Sequence, residues 1–210
     1  MLRHVQSWLT GAESPLELQP LAADRLRDAV RAAWGMTERD LLALCCVRMA
    51  RDLDVRLEPE PEDREPATAL ERAAVAYTEH FLLDPNAVRG DPDEELRRHL
   101  DLPELVNFVA ALNALEGYLR ACALLEVDAD VFALAPPLGT AGRPAPTLPG
   151  PEPPLDDGVG RRNYRLLLTD ERYRDVRAEF QRAAVLLSSV DEVTTEAARL
   201  RNAWFQDCHY

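Results

Sequence analysis

The stretch Pro103-Glu-Leu-Val-Asn-Phe-Val-Ala-Ala-Leu-Asn-Ala-Leu-Glu-Gly-Tyr-Leu-Arg-Ala-Cys-Ala-Leu-Leu125 is the most apolar part of this chain. Its apolar residues recur at intervals of three and four, the spacing of a helix, and almost nothing alternates with period two. Pro103 suits a first helical turn, where the backbone N–H that proline lacks would have no partner in any case. The stretch therefore predicts a core helix of an all-α fold.

Four more helices are predicted before this stretch, over Ala22–Trp34, Thr37–Asp52, Thr68–Leu83 and Asp91–Leu100. Thr68 with Glu71 is a capping box, in which each side chain bonds to the backbone of the other residue, and Thr37 with Asp40 is a variant of it. The acidic, proline-punctuated run between the second and third helices, Glu58–Pro66, is predicted to be a solvated loop. Nothing in this part of the chain predicts a sheet.

Composition limits the classes of function. The chain has 210 residues and a formal net charge of −13, which argues against nucleic acid or an anionic membrane surface as a partner. No run approaches the 18 apolar residues of a transmembrane helix, and the N-terminus does not resemble a signal peptide. Glycine-rich phosphate loops and metal-ligand spacings are missing, so we expect no cofactor and no metal. A cytoplasmic protein is the expectation.

The four cysteines fall into two groups. Cys45, Cys46 and Cys122 lie within apolar helical runs and are predicted to be buried thiols that pack as small apolar side chains. Cys208 alone has a polar context. The histidines His80 and His99 are predicted to lie on charged helix surfaces.

The chain is predicted to have three parts: a helical domain over 1–127, a linker over 128–160 and a second helical segment over 161–210. Half of the sixteen prolines fall between Pro136 and Pro154, which excludes regular helix or sheet from most of the linker. After the linker, a helix is predicted over Arg172–Leu187, and Ser189 with Glu192 opens a final element. This last part is too short to cover its own apolar faces, so we expect the chain to be either the N-terminal portion of a longer protein or a gene product cut short.

The final element places an acid, Glu196, twelve residues before Cys208. On one unbroken helix that interval spans about 18 Å, so the two side chains can meet only if the helix breaks and folds back. Asp207 is suited to cap a new helix that starts at Cys208, where the positive end of the helix dipole favours a thiolate. The competing interpretation is a terminal helix with an incidental cysteine, and a solvent-exposed His209.

This spacing resembles the carboxymuconolactone decarboxylase and alkyl hydroperoxidase D superfamily. Its redox members carry Glu, eleven residues, Cys, two residues, Cys, three residues and His. Glu196, Cys208 and the spacer His209-Tyr210 fit this pattern, and the second cysteine would be the next residue. The resemblance implies an alkyl hydroperoxidase D-like helical bundle, with Cys208, Glu196 and His209 as the candidate catalytic residues. It also implies a hydroperoxide substrate, a thiol or dithiol reductant and a homo-oligomer.

The segment from Leu70 to Val127 resembles the helical half of the same superfamily, through "Glu-Leu-Val-Asn-Phe" and "Asn-Ala-Leu-Glu-Gly-Tyr-Leu-Arg". Ahead of it, Asp40 takes the position of the acid, while Asp52, Val55 and Pro59 stand where the two cysteines and the histidine would be. Arg25-Leu-Arg-Asp and Arg172-Tyr-Arg-Asp echo each other. The chain is thus predicted to be a tandem repeat with a degenerate first copy and an incomplete second copy.

Three functions follow from these patterns. The leading one is a thiol-dependent peroxidase or disulfide oxidoreductase, with little turnover expected because the second cysteine is missing. Lactone decarboxylation, known from the same superfamily, is less favoured because neither copy offers a recognisable polar pocket. The alternative of another class is a non-catalytic helical oligomerisation scaffold or pseudoenzyme.

Overall fold

The computed structural model describes residues 20–62, 64–83, 91–135 and 171–185, with the single residues 193, 194 and 197. Six helices lie in the four ranges: α1 Pro20–Ala33, α2 Arg39–Asp52, α3 Ala69–Leu83, α4 Asp91–Arg97, α5 Leu102–Leu125 and α6 Glu171–Val185. Within the described ranges there is no strand, and extended pairing is limited to a bridge between Leu57 and Ala129. The all-α prediction is confirmed for this part of the chain.

Helix α5 is the centre of the fold. Asp101 caps it: its carboxylate accepts a hydrogen bond from the Glu104 amide at 2.8 Å, and Glu104 accepts one from the Asp101 amide at 3.2 Å. The helix therefore begins one residue before the predicted start at Pro103. It ends at Glu126, whose left-handed backbone (φ 54°) closes the last turn.

The other helices pack around α5. Helices α1, α2 and α4 contact it directly, α3 packs against α2 and α4, and α6 packs along α1. One continuous apolar core results, and Tyr77 of α3 meets Phe108 of α5 edge to face with ring centroids 6.3 Å apart. The largest fully buried side chains include Tyr118, Tyr173, Phe108, Leu42, Met49 and Leu96.

The two predicted capping boxes have different outcomes. At Thr68 the box forms: the hydroxyl accepts from the Glu71 amide at 3.1 Å, and Glu71 accepts from the Thr68 amide at 2.9 Å. The prediction at Thr37 was wrong, because α2 begins only at Arg39 and Glu38 occupies the N-cap without a side-chain hydrogen bond. The preceding residues are held in turns by α1, since the Gly35 and Met36 amides bond to its last carbonyls.

The segment after residue 127, where the sequence places the start of the linker, is described as far as residue 135. Residues 128–135 belong to the core, with Ala129 and Val131 fully buried and Leu134 nearly so. The Ala129 amide donates to the Arg56 carbonyl and its carbonyl accepts from the Glu58 amide, each at 2.9 Å. We call this segment the strap. Its polar residues suggested a solvated linker, but Asp128 and Asp130 also hydrogen-bond to Arg56 and Arg27.

The prediction that no segment approaches a transmembrane helix was too strict for α5. By length and composition alone, Leu102–Leu125 could cross a membrane, with a mean hydropathy of 1.4 over its most apolar window. Half of that window is buried inside the chain, which is the position of a core helix. A helix with few charged residues can reach this mean hydropathy even when its apolar residues do not form an unbroken run.

Candidate functional site

The predicted catalytic residues Glu196, Cys208 and His209 lie outside the described residues. Beside Glu196, the residues 193, 194 and 197 are helical and exposed. The described residues thus give no distance between the three side chains, and their assignment as catalytic residues stays a prediction. The site has to be built from the residues of the core.

The positions that the resemblance assigns to a first copy can be placed. Asp40 and Asp52, which take the acid and first cysteine positions, stand at the two ends of the single helix α2. Twelve residues on one helix span about 18 Å, so these positions cannot meet. Asp54 follows in a left-handed conformation (φ 54°) and ends the helix, so position 52 lies in a last helical turn and not in a first one. No thiolate-favouring dipole end is available there.

The three cysteines of the core are sealed, as the sequence predicted. Cys45 and Cys46 are fully buried, and Cys122 is 2% exposed. Burial raises the pKa of Cys45 to about 12 against a smaller opposing effect of the Thr78 hydroxyl, and it raises the pKa of Cys122 to about 11. For Cys46 burial and the neighbouring Cys45 raise the pKa further. All three are neutral thiols near pH 7.

Asp130 of the strap is the centre of a polar cluster that the sequence did not reveal. Its carboxylate accepts hydrogen bonds from the hydroxyl of Tyr118 and from the guanidinium of Arg27. Tyr118 is 2% exposed, and burial together with the Asp130 carboxylate raises its pKa. Burial by itself lowers the pKa of Arg27, but the charge and hydrogen bond of Asp130 outweigh it and the pKa is raised. We call Arg27, Tyr118, Cys122 and Asp130 the Asp130 cluster.

The cluster is a structural junction between three elements of the fold. Cys122 lies one helical turn after Tyr118, and the nearby Tyr118 hydroxyl lowers the pKa of the thiol against the larger effect of burial. Arg27 is 103 residues from Asp130, so no local sequence pattern could connect them. The arrangement joins α1, α5 and the strap, and it leaves the thiol of Cys122 inside the core.

The strap is held at its other residues as well. The guanidinium of Arg56 donates two hydrogen bonds to Asp128, one of them at 2.9 Å. The indole N–H of Trp34 donates to the Val131 carbonyl at 3.1 Å, and its ring meets Phe132 with centroids 5.5 Å apart. These bonds fix the strap between α1 and the loop that follows α2.

A cleft of about 100 Å³ opens between α2, the loop that follows it and Phe132 of the strap. Charged side chains line it on both walls: Asp40 on α2, and Glu62 and Arg64 on the loop. Arg64 is already paired with Glu71 at 2.6 Å. Pockets for small molecules measure roughly 300–1,000 Å³, so this cleft is too small for such a ligand.

The described residues contain no cluster of three or more His, Cys, Asp or Glu side chains that could hold a metal ion. His80 is exposed on α3 and His99 is exposed just after the end of α4, as the sequence predicted. The Nε2 atom of His99 lies 3.6 Å from a carboxylate oxygen of Glu95. No protein-family model matches this chain, and no curated protein or solved structure is significantly similar to it.

Proposed function

We propose that residues 20–135 with α6 form a non-catalytic helical scaffold that associates with further copies of the chain. The observation that carries this proposal is an exposed apolar end of the bundle. Leu83 at the end of α3 is 86% exposed and Leu124 near the end of α5 is 62% exposed. The guanidinium of Arg120, one turn before Leu124, donates to the Leu82 carbonyl at 2.9 Å, which ties the end of α3 to the last turns of α5.

Two exposed leucines on the water-facing surface favour association, because burial stabilises by roughly 25 cal/mol for each Å² of apolar surface removed from water. The chemistry of the core supports a scaffold in a second way. Its thiols are neutral and enclosed, whereas a nucleophilic cysteine has a lowered pKa and access to solvent. The three core cysteines therefore act as packing side chains that fill space in the apolar interior.

The molar mass in solution tests the scaffold. Light scattering after size exclusion should show an oligomer for the wild type and a smaller species for the double variant Leu83→Ser with Leu124→Ser. The matched control is Leu21→Ser, because Leu21 is also exposed, at 58%, but lies on α1. A monomeric wild type would contradict the proposal, as would an oligomer that both leucine replacements leave intact.

The second candidate is a thiol-dependent peroxidase or disulfide oxidoreductase in which Cys208 reacts and Glu196 relays the proton. The observation that favours it is the interval of twelve residues between Glu196 and Cys208. The sealed state of the other three cysteines supports the assignment of any thiol chemistry at neutral pH to Cys208. His209 would stand next to the reacting sulfur.

Alkylation under native conditions separates the two candidates. A redox role requires that Cys208 react with iodoacetamide faster than free cysteine, because a low pKa supplies thiolate at pH 7. Glu196→Gln should then slow both this reaction and any consumption of hydroperoxide with dithiothreitol as reductant. If Cys208 reacts like free cysteine and Cys208→Ser leaves peroxide consumption unchanged, only the scaffold remains.

A further inference from the structure

The cleft beside α2 combines apolar side chains inside with carboxylates at its mouth. Asp40 of α2 and Glu62 of the loop are exposed to solvent. The apolar lining is buried or half-buried and comes from all three elements that enclose the cleft: Ala43, Leu44 and Val47 of α2, Pro61 of the loop and Phe132 of the strap. An occupant would therefore lie on apolar surface and meet negative charge at its outer end.

The charges around the cleft favour a cation. The third charged residue of the lining, Arg64, is paired at 2.6 Å with Glu71, a carboxylate that does not line the cleft. The pKa of Arg64 is raised mainly by its hydrogen bond to Glu71, and the charge of Asp40 is the smallest contribution to this rise. Neither Asp40 nor Glu62 forms an ion pair within the described part of the chain. Two carboxylates thus stand at the mouth without a cationic partner of their own.

The size of the cleft suits one side chain. An apolar cavity of about 150 Å³ accommodates a benzene molecule, so a cleft of about 100 Å³ suits an unbranched stem of a few carbon atoms. Lysine and arginine bury such a stem on apolar surface and keep the charged head at the edge. An ammonium group donates in three directions, whereas the flat guanidinium fork matches one carboxylate in its plane. Since Asp40 and Glu62 belong to different elements, the cleft favours the ammonium.

We propose that this cleft is an anchor pocket for a lysine side chain of a basic partner protein. The aliphatic stem lies on the apolar lining, and the ammonium group reaches Asp40 and Glu62. The chain itself contains no lysine, so a second copy cannot supply this side chain. Its net charge of −13 attracts a basic partner and accelerates their encounter. The proposal goes beyond the association through Leu83 and Leu124 and does not depend on it.

An NMR titration of the isotope-labelled full chain with N-acetyl-lysine methylamide tests the pocket. The amide shifts should saturate and should be confined to Asp40–Val47 of α2, to Glu62 and Arg64 of the loop and to Phe132. The norleucine derivative has the same stem without the ammonium group and should bind at least tenfold more weakly. The arginine derivative should bind at least threefold more weakly. Added sodium chloride should weaken the binding of the lysine derivative, because salt screens exposed charges.

Variants separate a pocket from a diffuse acidic surface. Asp40→Asn and Glu62→Gln should each weaken the binding of the lysine derivative at least threefold. The matched control is Glu94→Gln, which neutralises an exposed carboxylate on α4 and should leave the affinity unchanged. Ala43→Leu keeps both carboxylates and fills the cleft, so it should abolish the saturable shifts in a chain that circular dichroism shows to be folded.

Three results would overturn the proposal. Equal affinity for the norleucine derivative would mean that the carboxylates do not select a cation. Shifts that spread over the acidic surface without saturation, or binding that Ala43→Leu leaves intact, would mean that the cleft is not a pocket. Tighter binding of the arginine derivative would assign the cleft to an arginine, which a second copy can supply. The molar masses of the Leu83 and Leu124 variants report on the scaffold separately, so either proposal can fail alone.

Discussion

Asp130 joins two parts of the chain that the sequence keeps far apart. Arg27 and Tyr118 both donate to its carboxylate, and the phenol ring of Tyr118 is enclosed by the core. A hydroxyl that loses its acceptor in such a place costs its desolvation free energy, which is larger than the net value of a hydrogen bond. The stability of the strap should therefore depend on this one carboxylate.

The first prediction concerns its removal. Asp130→Ala should lower the free energy of unfolding by roughly 1–3 kcal/mol, because the Tyr118 hydroxyl is left buried without its acceptor. Urea titration followed by circular dichroism measures this difference. In the double variant with Tyr118→Phe the loss should be smaller than the sum of the two single losses, since the unpaired hydroxyl is gone.

A carboxylate whose partner lies on the same helix is the control for this prediction. Asp93 pairs with Arg97 at 2.7 Å on the short helix α4, at i and i+4. Asp93→Ala should cost less than about 1 kcal/mol, as exposed helical pairs do. If both alanine variants lost the same stability, the Asp130 cluster would not be a structural junction.

Among the elements, α5 carries a glycine that its surroundings do not require. Gly117 lies within the helix, and a Cβ atom built there meets no atom within 4 Å among the described residues. Glycine inside a helix costs roughly 0.5–1 kcal/mol relative to alanine, because it loses more backbone entropy on folding. Gly117→Ala should therefore raise the free energy of unfolding by about this amount.

Thermal and urea unfolding of the Gly117→Ala chain measure the gain. Ala121→Gly, one turn further along the same half-buried face, is the matched control and should lower stability by a similar amount. A loss of stability in Gly117→Ala that appears only at concentrations where the chain associates would indicate a second copy packed against this glycine.

The stability that the start of α3 contributes should depend on pH through the charge of Glu71. Hydrogen bonds from Arg64 and then from the Thr68 and Ala67 amides lower the pKa of Glu71 to about 2. A carboxylate with a lowered pKa stabilises the fold above its ordinary pKa of about 4.3, and this contribution is lost as the pH falls toward 2. Glu71→Gln should thus be less stable than the wild type at pH 7, with a difference that shrinks between pH 4.5 and pH 2.5.

Thr68→Ala provides the comparison for this helix start. It removes the hydroxyl that accepts from the Glu71 amide, and N-cap substitutions of this kind cost about 1 kcal/mol. Because the hydroxyl does not titrate in this range, its loss should be similar at both pH values. A Glu71→Gln difference that stays constant from pH 7 to pH 2.5 would show that the Arg64 and amide contacts do not set the charge of Glu71.

The elements also show which parts of the fold can be predicted from the sequence. The span of α5 and the cap of α3 are local patterns, in which an apolar period or two residues three apart carry the information. The strap could not be predicted, because Asp130 finds Arg27 only after the whole core has formed. Tyr173 is the same case, since its acceptor at Ala110 lies 63 residues away. The burial of the three core thiols could be predicted, because an apolar helical context already implies burial.

At the scale of the whole molecule, the core and α6 enclose three thiols and three buried tyrosine rings in one apolar interior. Residues from α1, α2, α3 and α4 surround the central α5, and α6 lies along α1 and reaches α5 through Tyr173. The chain as a whole carries a net charge of −13, so its surface repels anions and other acidic proteins. The free energy of unfolding should therefore change in acid through surface carboxylates such as Glu71, and in alkali through the enclosed thiols.

The last prediction follows from the thiols. Free cysteine has a pKa near 8.5, whereas burial raises the pKa of Cys45 to about 12 and that of Cys122 to about 11. A group with a raised pKa in the fold stabilises it fully below the unfolded pKa, and that stability is lost as the pH rises toward the folded value. Between pH 7.5 and pH 9.5 the free energy of unfolding should therefore fall by about 1 kcal/mol for each buried thiol.

Urea midpoints at the two pH values measure this fall, and replacement of Cys45, Cys46 and Cys122 by alanine should remove most of it. Cys208→Ser is the control, because serine there leaves the enclosed thiols in place. Iodoacetamide should label the three core cysteines only in urea. Rapid labelling of Cys45 or Cys122 in the native chain at pH 7.5 would mean that the core opens as a unit at low cost. A stability that is unchanged at pH 9.5 would mean that the folded thiols ionise as easily as unfolded ones.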